Sequence, residues 1–319
     1  MKLGLMLPVN PDIQWTLAKQ LGVKKIITKA APELSGLADP SDFNALKTVR
    51  DRFAGAGLEL YALEGDEFDM SRIKLGLPGR DEDIEKYRKM LSNMGRLGLK
   101  LLCYNFMAGV GWFRSRNDLS ERGGALTSGF DLRDINNDVP LAVTEEAMWD
   151  NYRYFLNAVL PAAEEAGVKM GLHPDDPPIP ALLGYSRILI SADAYRKAMS
   201  LSNSPAHGIT FCQATFRAMG ENVFELLEEF KEKVFFLHFR DVEGGRTCFR
   251  ETFHDNGPTD MTKLLEWAQK YAPDCLIRPD HTPTMAGESN EKFGYTMQGN
   301  LFAVGYIKGI LDTLKVKYE

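Results

Sequence analysis

The sequence predicts a (β/α)8 barrel that forms a single domain over residues 1–319. Eight short apolar segments alternate along the chain with segments of helical periodicity. Such alternation is typical of parallel βαβ units, and eight units close into a barrel, for which about 250 residues is usual. The alternative, an open doubly wound sheet, is disfavoured because the chain carries no glycine-rich dinucleotide-binding or phosphate-binding motif.

The elements can be assigned in chain order from these patterns. The predicted strands are residues 2–7, 24–28, 58–63, 100–104, 168–172, 207–212, 234–238 and 275–278. The predicted helices are residues 11–21, 40–54, 82–97, 144–166, 191–201, 222–231, 259–270 and 299–315. The helix at 144–166 has the clearest ends, because Thr144 can cap it and Gly167 can stop it. Most of the remaining length lies in a long polar loop at about 108–143, and loops of this length are usually functional.

Composition excludes several classes of function. Hydrophobic residues make up 44% of the chain and charged residues 26%, which is typical of a soluble globular protein. A net charge of −6 provides no basic surface for nucleic acid. No run of about 18 apolar residues predicts a membrane span, and no secretory signal is apparent. The four cysteines lie far apart, which favours a reducing compartment, so we expect a cytoplasmic protein.

Four consecutive predicted strands end in side chains that can bind a metal. These side chains are His173, Cys212, His238 and Asp280. Barrel active sites are built at the carboxyl ends of the strands, so the four side chains should converge. Imidazole, thiolate and carboxylate together suit Zn²⁺, Fe²⁺, Mn²⁺ or Co²⁺ better than Mg²⁺ or Ca²⁺. Each residue alone has an ordinary structural explanation, but the joint pattern predicts one divalent metal per chain.

Other polar residues follow the same strands. The candidates are Asn105, Arg114, Arg240, Asp241, His254, Arg278, His281 and Tyr295. Arginines at the mouth of an acidic protein suit an anionic substrate, because the guanidinium fork matches a carboxylate. Their structural alternative is a solvated rim or a contact with a helix end. His254 stands in a polar loop, so we expect it at the barrel mouth and not in the core.

Several sequence blocks resemble the mannonate dehydratases of hexuronate catabolism. They are His173-Pro-Asp-Asp-Pro-Pro178, Cys103-Tyr-Asn-Phe-Met107, Phe239-Arg-Asp-Val242 with Glu251-Thr-Phe-His254, and Arg278-Pro-Asp-His281. The resemblance implies a xylose-isomerase-like barrel, conversion of D-mannonate to 2-keto-3-deoxy-D-gluconate, Mn²⁺ or Fe²⁺ as cofactor, and a homodimer. It also implies the four metal ligands already named and places His281 and Tyr295 near the chemistry.

The chain departs from this family pattern in its substrate-facing part. The loop at 64–69 lacks the usual histidine, and the helical insertion between strands four and five is largely missing. Further departures are Cys212-Gln-Ala-Thr215, Gly111-Trp-Phe-Arg114 and Asn300, where the family has Cys-Thr-Gly-Ser, Asp-Trp-Thr-Arg and an arginine. Two alternatives to a dehydratase therefore stay open. One is a sugar isomerase or epimerase on the same barrel, which the cysteine ligand disfavours. The other is a catalytically inactive, sugar-acid-binding relative.

A dehydratase needs a base, an acid and a group that binds the substrate carboxylate. His281, Tyr295 and His254 are the candidate acid and base, with Arg240 as a further catalytic residue. Asn105, Arg114, Arg278 and Asp241 are the candidate substrate-binding residues. The sequence does not divide acid from base among the three candidates.

Overall fold

The computed structural model describes residues 1–319, and its strands close into the predicted barrel. In chain order the strands are β1 (Lys2–Met6), β2 (Lys25–Thr28), β3 (Glu59–Glu64), β4 (Leu101–Tyr104), β5 (Arg116–Ser120), β6 (Leu126–Asp131), β7 (Lys169–Leu172), β8 (Ala181–Leu182), β9 (Tyr185–Ser186), β10 (His207–Cys212), β11 (Val234–Phe239), β12 (Val242–Gly245), β13 (Cys248–Glu251) and β14 (Leu276–Pro279). The helices are α1 (Ile13–Gln20), α2 (Pro32–Ser35), α3 (Phe43–Gly55), α4 (Ser71–Leu75), α5 (Arg80–Arg96), α6 (Glu145–Ala166), α7 (Ala192–Ser200), α8 (Gln213–Ala218), α9 (Val223–Glu229), α10 (Met261–Tyr271) and α11 (Met297–Thr313).

Eight parallel strands form the closed barrel in the order β1, β2, β3, β4, β7, β10, β11 and β14, with β14 pairing back onto β1. The register aligns the functional strand ends. Cys212 lies opposite His238 across the pair β10 and β11, and His238 lies opposite Arg278 across β11 and β14. Neighbouring strands are about 4.8 Å apart. The polar side chains of Cys212, His238 and Arg278 therefore lie side by side at one level of the barrel.

Helix ends follow the capping residues that the sequence offers. The Thr144 hydroxyl accepts a hydrogen bond from the backbone N–H of Ala147, and Gly167 ends α6 in the left-handed conformation at φ 64°. A residue with a side chain is disfavoured at that φ, so glycine is the natural stop. Asp side chains cap α1, α3 and α10 in the same way. None of the helices combines the length and the apolar composition that a membrane crossing requires.

The barrel interior is a packed plug beneath the strand ends. Six buried side chains fill it: Ile27, Ala62, Leu101, Cys103, Phe236 and Leu276. The Phe236 ring meets the His238 ring edge to face, with centroids 4.6 Å apart. The main core of 68 buried residues lies between the strands and the surrounding helices. The plug therefore forms a rigid apolar floor on which His238 stands.

The connection between β4 and α6 is not the irregular loop that the sequence suggests. It contains β5 and β6, which join β12 and β13 in a four-stranded antiparallel sheet, here called the cover sheet. Phe130 and Phe249 face each other across it and belong to a small core of its own. Strand β5 is polar and mostly exposed, so it shows no apolar alternation from which a strand could be predicted. The cover sheet lies at the carboxyl end of the barrel, because both connections follow barrel strands.

Candidate metal centre

The four predicted ligands meet at the carboxyl end of the barrel. His173 directly follows β7, Cys212 ends β10, His238 lies in β11, and Asp280 directly follows β14. One potential ligand atom from each residue lies within 4.8 Å of the other three. Two ligands on opposite sides of one metal are separated by at most about 4.6 Å. The four side chains are therefore close to the arrangement that a single ion requires.

The donor atoms of this cluster fit a cation. Both ring nitrogens of His238 and Oδ1 of Asp280 are buried and make no hydrogen bond. Oδ1 of Asp280 has an ion-pair partner, Nη1 of Arg278 at 2.8 Å, so the buried atoms of the cluster with neither a hydrogen bond nor so close an ion pair are the two His238 nitrogens. Unpaired buried polar atoms are costly, and a bound cation would supply the missing partner. His173 Nδ1 lies 2.7 Å from the Pro174 carbonyl oxygen, so it donates there and leaves the Nε2 lone pair available.

Neighbouring cations keep the two acidic ligands ionised. Burial by itself raises the pKa of the Cys212 thiol, but the Arg240 guanidinium, aided by His173, lowers it well below its usual value. Nη2 of Arg240 lies 3.4 Å from the Cys212 sulfur. Burial likewise raises the pKa of Asp280, and Arg278 outweighs that effect and lowers it. A thiolate and a carboxylate are the forms that a divalent metal binds.

Arg114 and Arg240 are engaged in buried ion pairs and do not line the cavity at the site. Arg114 binds Asp176 through two hydrogen bonds of 2.6 and 2.8 Å and donates through Nε to Glu251 at 2.9 Å. Arg240 donates to Asp280 at 2.9 Å and to Asp176 at 2.7 Å. Because the donors of Arg114 are engaged in this way, its role in binding the substrate carboxylate stays a prediction. Arg240 contacts two of the predicted metal ligands, Asp280 and Cys212, and does not line the cavity.

Asp241 and His254 also lie outside the cavity, and the burial of His254 differs from the position predicted for it at the barrel mouth. The Asp241 carboxylate accepts hydrogen bonds from the backbone N–H groups of Val242 and Thr259 at 2.9 and 2.7 Å, so it holds a loop and not a substrate. His254 is 1% exposed, and its Nε2 lies 2.7 Å from the Phe239 carbonyl oxygen. Burial lowers the pKa of His254 to about 4. Asp241 directly precedes β12 and His254 follows β13 by three residues, so both lie at the base of the β12–β13 hairpin.

A cavity of about 350 Å³ opens onto the metal cluster. The predicted residues that line it are Asn105, His173, His238, Arg278, Asp280, His281 and Tyr295. It is also lined by residues that were not among the predicted site residues, including Lys29, Glu64, Asp66 and Trp112. Lys29 and Glu64 stand at the carboxyl ends of β2 and β3, so the strand-end rule that finds the ligands also applies to them.

Arg278 faces the cavity but its charge is already balanced by Glu64. Nε of Arg278 donates to Oε2 of Glu64 at 3.0 Å, and Nη2 donates to Oε1. Burial raises the pKa of Glu64, but Arg278 and then His238 lower it to about 2. Lys29 is different, because its ion-pair partner at 3.3 Å is the exposed Glu33. Lys29 is therefore the lining cation that is most free to turn toward an anion.

Asn105 lies within a smaller polar network at the cavity wall. Its Oδ1 accepts hydrogen bonds from Lys74 Nζ at 2.9 Å and from the Met107 backbone N–H at 3.0 Å. Lys74 is 2% exposed and also pairs with Asp66 at 2.6 Å. These contacts fix the Asn105 amide, so the predicted substrate-binding residue is held in place at the cavity.

His281 and Tyr295 form a hydrogen-bonded pair beside the metal cluster. Nε2 of His281 lies 3.0 Å from the Tyr295 hydroxyl, and Nδ1 lies 2.8 Å from Oε1 of Glu251. The Trp112 ring packs against His281 with centroids 4.5 Å apart. Burial raises the pKa of Tyr295 far above its usual value, so its phenol keeps its proton. The pair can therefore donate and accept a proton within one cavity.

Comparison with known proteins identifies the family. Residues 12–142 and 137–319 match the profile of the family described as D-mannonate dehydratase (UxuA). The chain belongs to the D-mannonate dehydratase family. The mannonate dehydratase of Streptococcus equi subsp. zooepidemicus is 31% identical, in an alignment that covers 91% of this chain and 88% of that protein.

Solved structures agree with this membership. The mannonate dehydratase from Streptococcus suis serotype 2 superposes with a TM-score of 0.90 at 27% identity, covering 100% of this chain and 97% of that chain. A xylose isomerase domain protein from Planctomyces limnophilus has a TM-score of 0.63 at 14% identity, covering 98% of each chain. The second likeness is one of fold alone, and the predicted xylose-isomerase-like barrel is confirmed.

Proposed function

We propose that this member of the D-mannonate dehydratase family is a metal-dependent hydro-lyase that converts D-mannonate to 2-keto-3-deoxy-D-gluconate and water. One structural observation at the site supports this proposal most strongly. Four potential ligand atoms lie within 4.8 Å of one another, and three of their residues, His173, His238 and Asp280, line the cavity that also holds the pair His281 and Tyr295. A site of this kind offers a cation, a proton donor and a proton acceptor to one small anion.

We propose Mn²⁺ or Fe²⁺ as the metal, held by His173, Cys212, His238 and Asp280. When bound there, the ion would supply Lewis acidity toward the carboxylate and a neighbouring hydroxyl of the substrate, which makes the α proton more acidic. The chain itself supplies two anionic and two neutral ligands, with Arg240 and Arg278 beside the anionic ones. These arginines orient the thiolate and the carboxylate and hold them unprotonated.

The dehydration removes a proton from the carbon next to the carboxylate and a hydroxyl from the following carbon. It therefore needs a base and an acid. Because burial keeps Tyr295 protonated, its hydroxyl fits the acid that donates a proton to the leaving hydroxyl. Nε2 of His281, 3.0 Å away, fits the base that accepts the α proton. The resulting enol becomes the 2-keto product by gaining a proton at the following carbon.

The remaining cavity wall suits a polyhydroxylated anion. We propose that Lys29 and Asn105 bind hydroxyls of the sugar chain, since both line the cavity and Asn105 is fixed by Lys74. Arg278 keeps its predicted role at the substrate through its position on the same wall. The Trp112 ring packs against His281 and lines the cavity, so it limits the access of water to the imidazole. Excluding water strengthens every charge interaction inside the cavity.

The family assignment favours dehydration over the alternatives. The solved structures named as isomerases or epimerases match at only 11% to 14% identity, a likeness of fold alone. The experiment is to supply the Mn²⁺-loaded protein with a panel of aldonic acids and with ketose sugars. We expect a 2-keto-3-deoxy acid from D-mannonate. A ketose or an epimer as the product would favour the isomerase alternative, and binding without turnover would favour the inactive relative.

We also propose that the protein works as a cytoplasmic homodimer. The family resemblance supports the dimer, and the four unpaired cysteines suit a reducing compartment. Light scattering should give a mass of twice 35.8 kDa. A monomer mass at working concentration would contradict the dimer.

A further inference from the structure

Glu251 joins His281 to the buried arginines. It is 2% exposed and stands at the end of β13 in the cover sheet. A single oxygen, Oε1, lies 2.8 Å from His281 Nδ1, 2.9 Å from Arg114 Nε and 3.4 Å from Arg240 Nη1. The guanidinium groups of Arg114 and Arg240 therefore hold the Glu251 carboxylate within hydrogen-bonding distance of the His281 imidazole.

This contact restricts where His281 carries its proton. An ionised carboxylate can only accept hydrogen bonds, so Nδ1 must donate to it. A neutral imidazole with a proton on Nδ1 has its lone pair on Nε2. Nε2 faces the Tyr295 hydroxyl at 3.0 Å on the cavity side. The opposite tautomer would place two acceptors, Nδ1 and Oε1, against each other at 2.8 Å.

We propose that Glu251 is a positioning residue for the dehydration, fixing His281 with the proton on Nδ1 so that Nε2 faces the substrate as a proton acceptor. The proposal rests on the proposed function, because it gives His281 the role of the base. It also gives the buried ion pairs of Arg114 with Asp176 and Glu251 a role, which is to hold the Glu251 carboxylate in place. Asp176 accepts hydrogen bonds from both terminal nitrogens of Arg114, and Nε and Nη2 of Arg114 donate to Oε1 of Glu251 at 2.9 and 2.5 Å.

The competing explanation is that Glu251 only balances the charges of Arg114 and Arg240. Asp176 provides the matched control, because it binds both arginines but does not contact His281. The variants Glu251→Gln and Glu251→Met separate the two explanations further. Glutamine keeps an oxygen that can accept from His281, whereas methionine has similar length and only a weak acceptor.

The first measurement needs no variant. Long-range ¹⁵N–¹H correlation spectra of the Zn²⁺-loaded protein, labelled at its five histidines, report which ring nitrogen carries the proton. We use Zn²⁺ because it is diamagnetic and accepts nitrogen and sulfur ligands. We expect His281 to carry its proton on Nδ1 alone. A proton on Nε2 in the wild-type protein would overturn the proposal.

The variants are then compared by spectrum and by turnover. In Glu251→Met we expect a mixture of His281 tautomers and a loss in kcat of roughly 10²- to 10⁴-fold with little change in KM. In Glu251→Gln we expect the wild-type tautomer and a loss of about tenfold, since a neutral acceptor is weaker than a charged one. Asp176→Asn should keep the wild-type tautomer.

Two outcomes contradict the proposal at this stage. One is a Glu251→Met variant with the wild-type tautomer and kcat, and the other is an Asp176→Asn variant that shifts the tautomer as strongly as Glu251→Met. If Glu251→Met does not fold, the wild-type spectrum and Glu251→Gln decide. Absence of D-mannonate turnover in the wild-type protein would defeat the proposed function, whereas the wild-type spectrum would still test the contact between Glu251 and His281.

Discussion

Arg240 donates a hydrogen bond from Nε to Oδ2 of Asp280 at 2.9 Å. The same guanidinium lies 3.4 Å from the Cys212 sulfur through Nη2. One buried cation therefore touches both acidic members of the proposed metal site, and it does so from behind, outside the cavity. The sequence position of Arg240 suggests a catalytic residue that contacts the substrate. Its contacts instead indicate that it orients Asp280 and Cys212 and stabilises their ionised forms.

Replacing Arg240 with methionine should weaken metal binding. Residues that orient metal ligands typically contribute 10- to 100-fold in affinity, so we expect a loss of that size in competition titrations with a chelator. The variant should also unfold more easily, by about 3–5 kcal/mol, because Asp176 and Asp280 lose a buried partner. Arg196→Met is the control, since its pairs with Asp193 and Glu229 are surface-exposed. Unchanged metal affinity in Arg240→Met would contradict the role we give it.

Cys212→Ser should lose metal while keeping the barrel folded. The change replaces one atom, but a serine hydroxyl is a poor ligand while it is protonated. Metal analysis of purified protein checks this, with Cys275→Ser as the control because Cys275 is equally buried and lies outside the ligand cluster. Equal metal content in Cys212→Ser and the wild type would mean that the sulfur is only a small buried hydrophobic group.

Tyr295→Phe should lower kcat by roughly 10²- to 10⁴-fold, the usual contribution of a positioned acid. The hydroxyl makes its hydrogen bond to His281, so metal content and melting temperature should change little. Tyr154→Phe is the control, because Tyr154 lies on the surface and binds Asp81. Full activity in Tyr295→Phe would remove the phenol from the proton transfers.

His254 should act on stability through pH. Burial lowers its pKa to about 4 in the folded protein, whereas the unfolded value is about 6.5. The unfolded state therefore binds more protons between these values, and stability falls as pH drops from about 6.5 to about 4. The unfolding free energy is therefore about 3 kcal/mol lower at the acid end of that window than above about pH 6.5.

Urea unfolding of the wild type and of His254→Leu at about pH 7 and about pH 4 checks this prediction. The difference in unfolding free energy between the two proteins should shift by about 3 kcal/mol in favour of the variant at the lower pH. A difference that does not change with pH would mean that His254 titrates as an exposed histidine.

The fold and the convergence of the four proposed ligands are predictable because both depend on short local stretches of sequence. Apolar strands that end in His173, Cys212 and His238 place those side chains at one face of any parallel barrel. The roles of Arg114 and Asp241 are not predictable in this way. Their partners, Asp176 and Thr259, lie 62 and 18 residues away along the chain, and only the folded structure shows that the arginine's donors are already engaged.

The burial of His254 and the existence of the cover sheet could not be predicted from the sequence for a related reason. A polar loop composition normally indicates a surface position, but the hairpin β12–β13 pairs with β6 and carries His254 under the Phe239 strand end. Strand β6 pairs with β13, more than 100 residues away, and β5 is a polar edge strand that pairs only with β6, so local periodicity contains no signal for the sheet. The cover sheet also positions Glu251 beside His281. In the sequence, Glu251 is notable only as the first residue of the block Glu251-Thr-Phe-His254, which resembles the family.

The most direct test of the central claim is a titration of metal-free protein with Mn²⁺ while the 2-keto-3-deoxy acid formed from D-mannonate is measured. We predict no product in the presence of a chelator and a rise in activity that levels off at one Mn²⁺ per chain. A Cys212→Ser sample in parallel should require a much higher Mn²⁺ concentration. Product formation without metal, or none at saturating Mn²⁺ and Fe²⁺, would contradict the account.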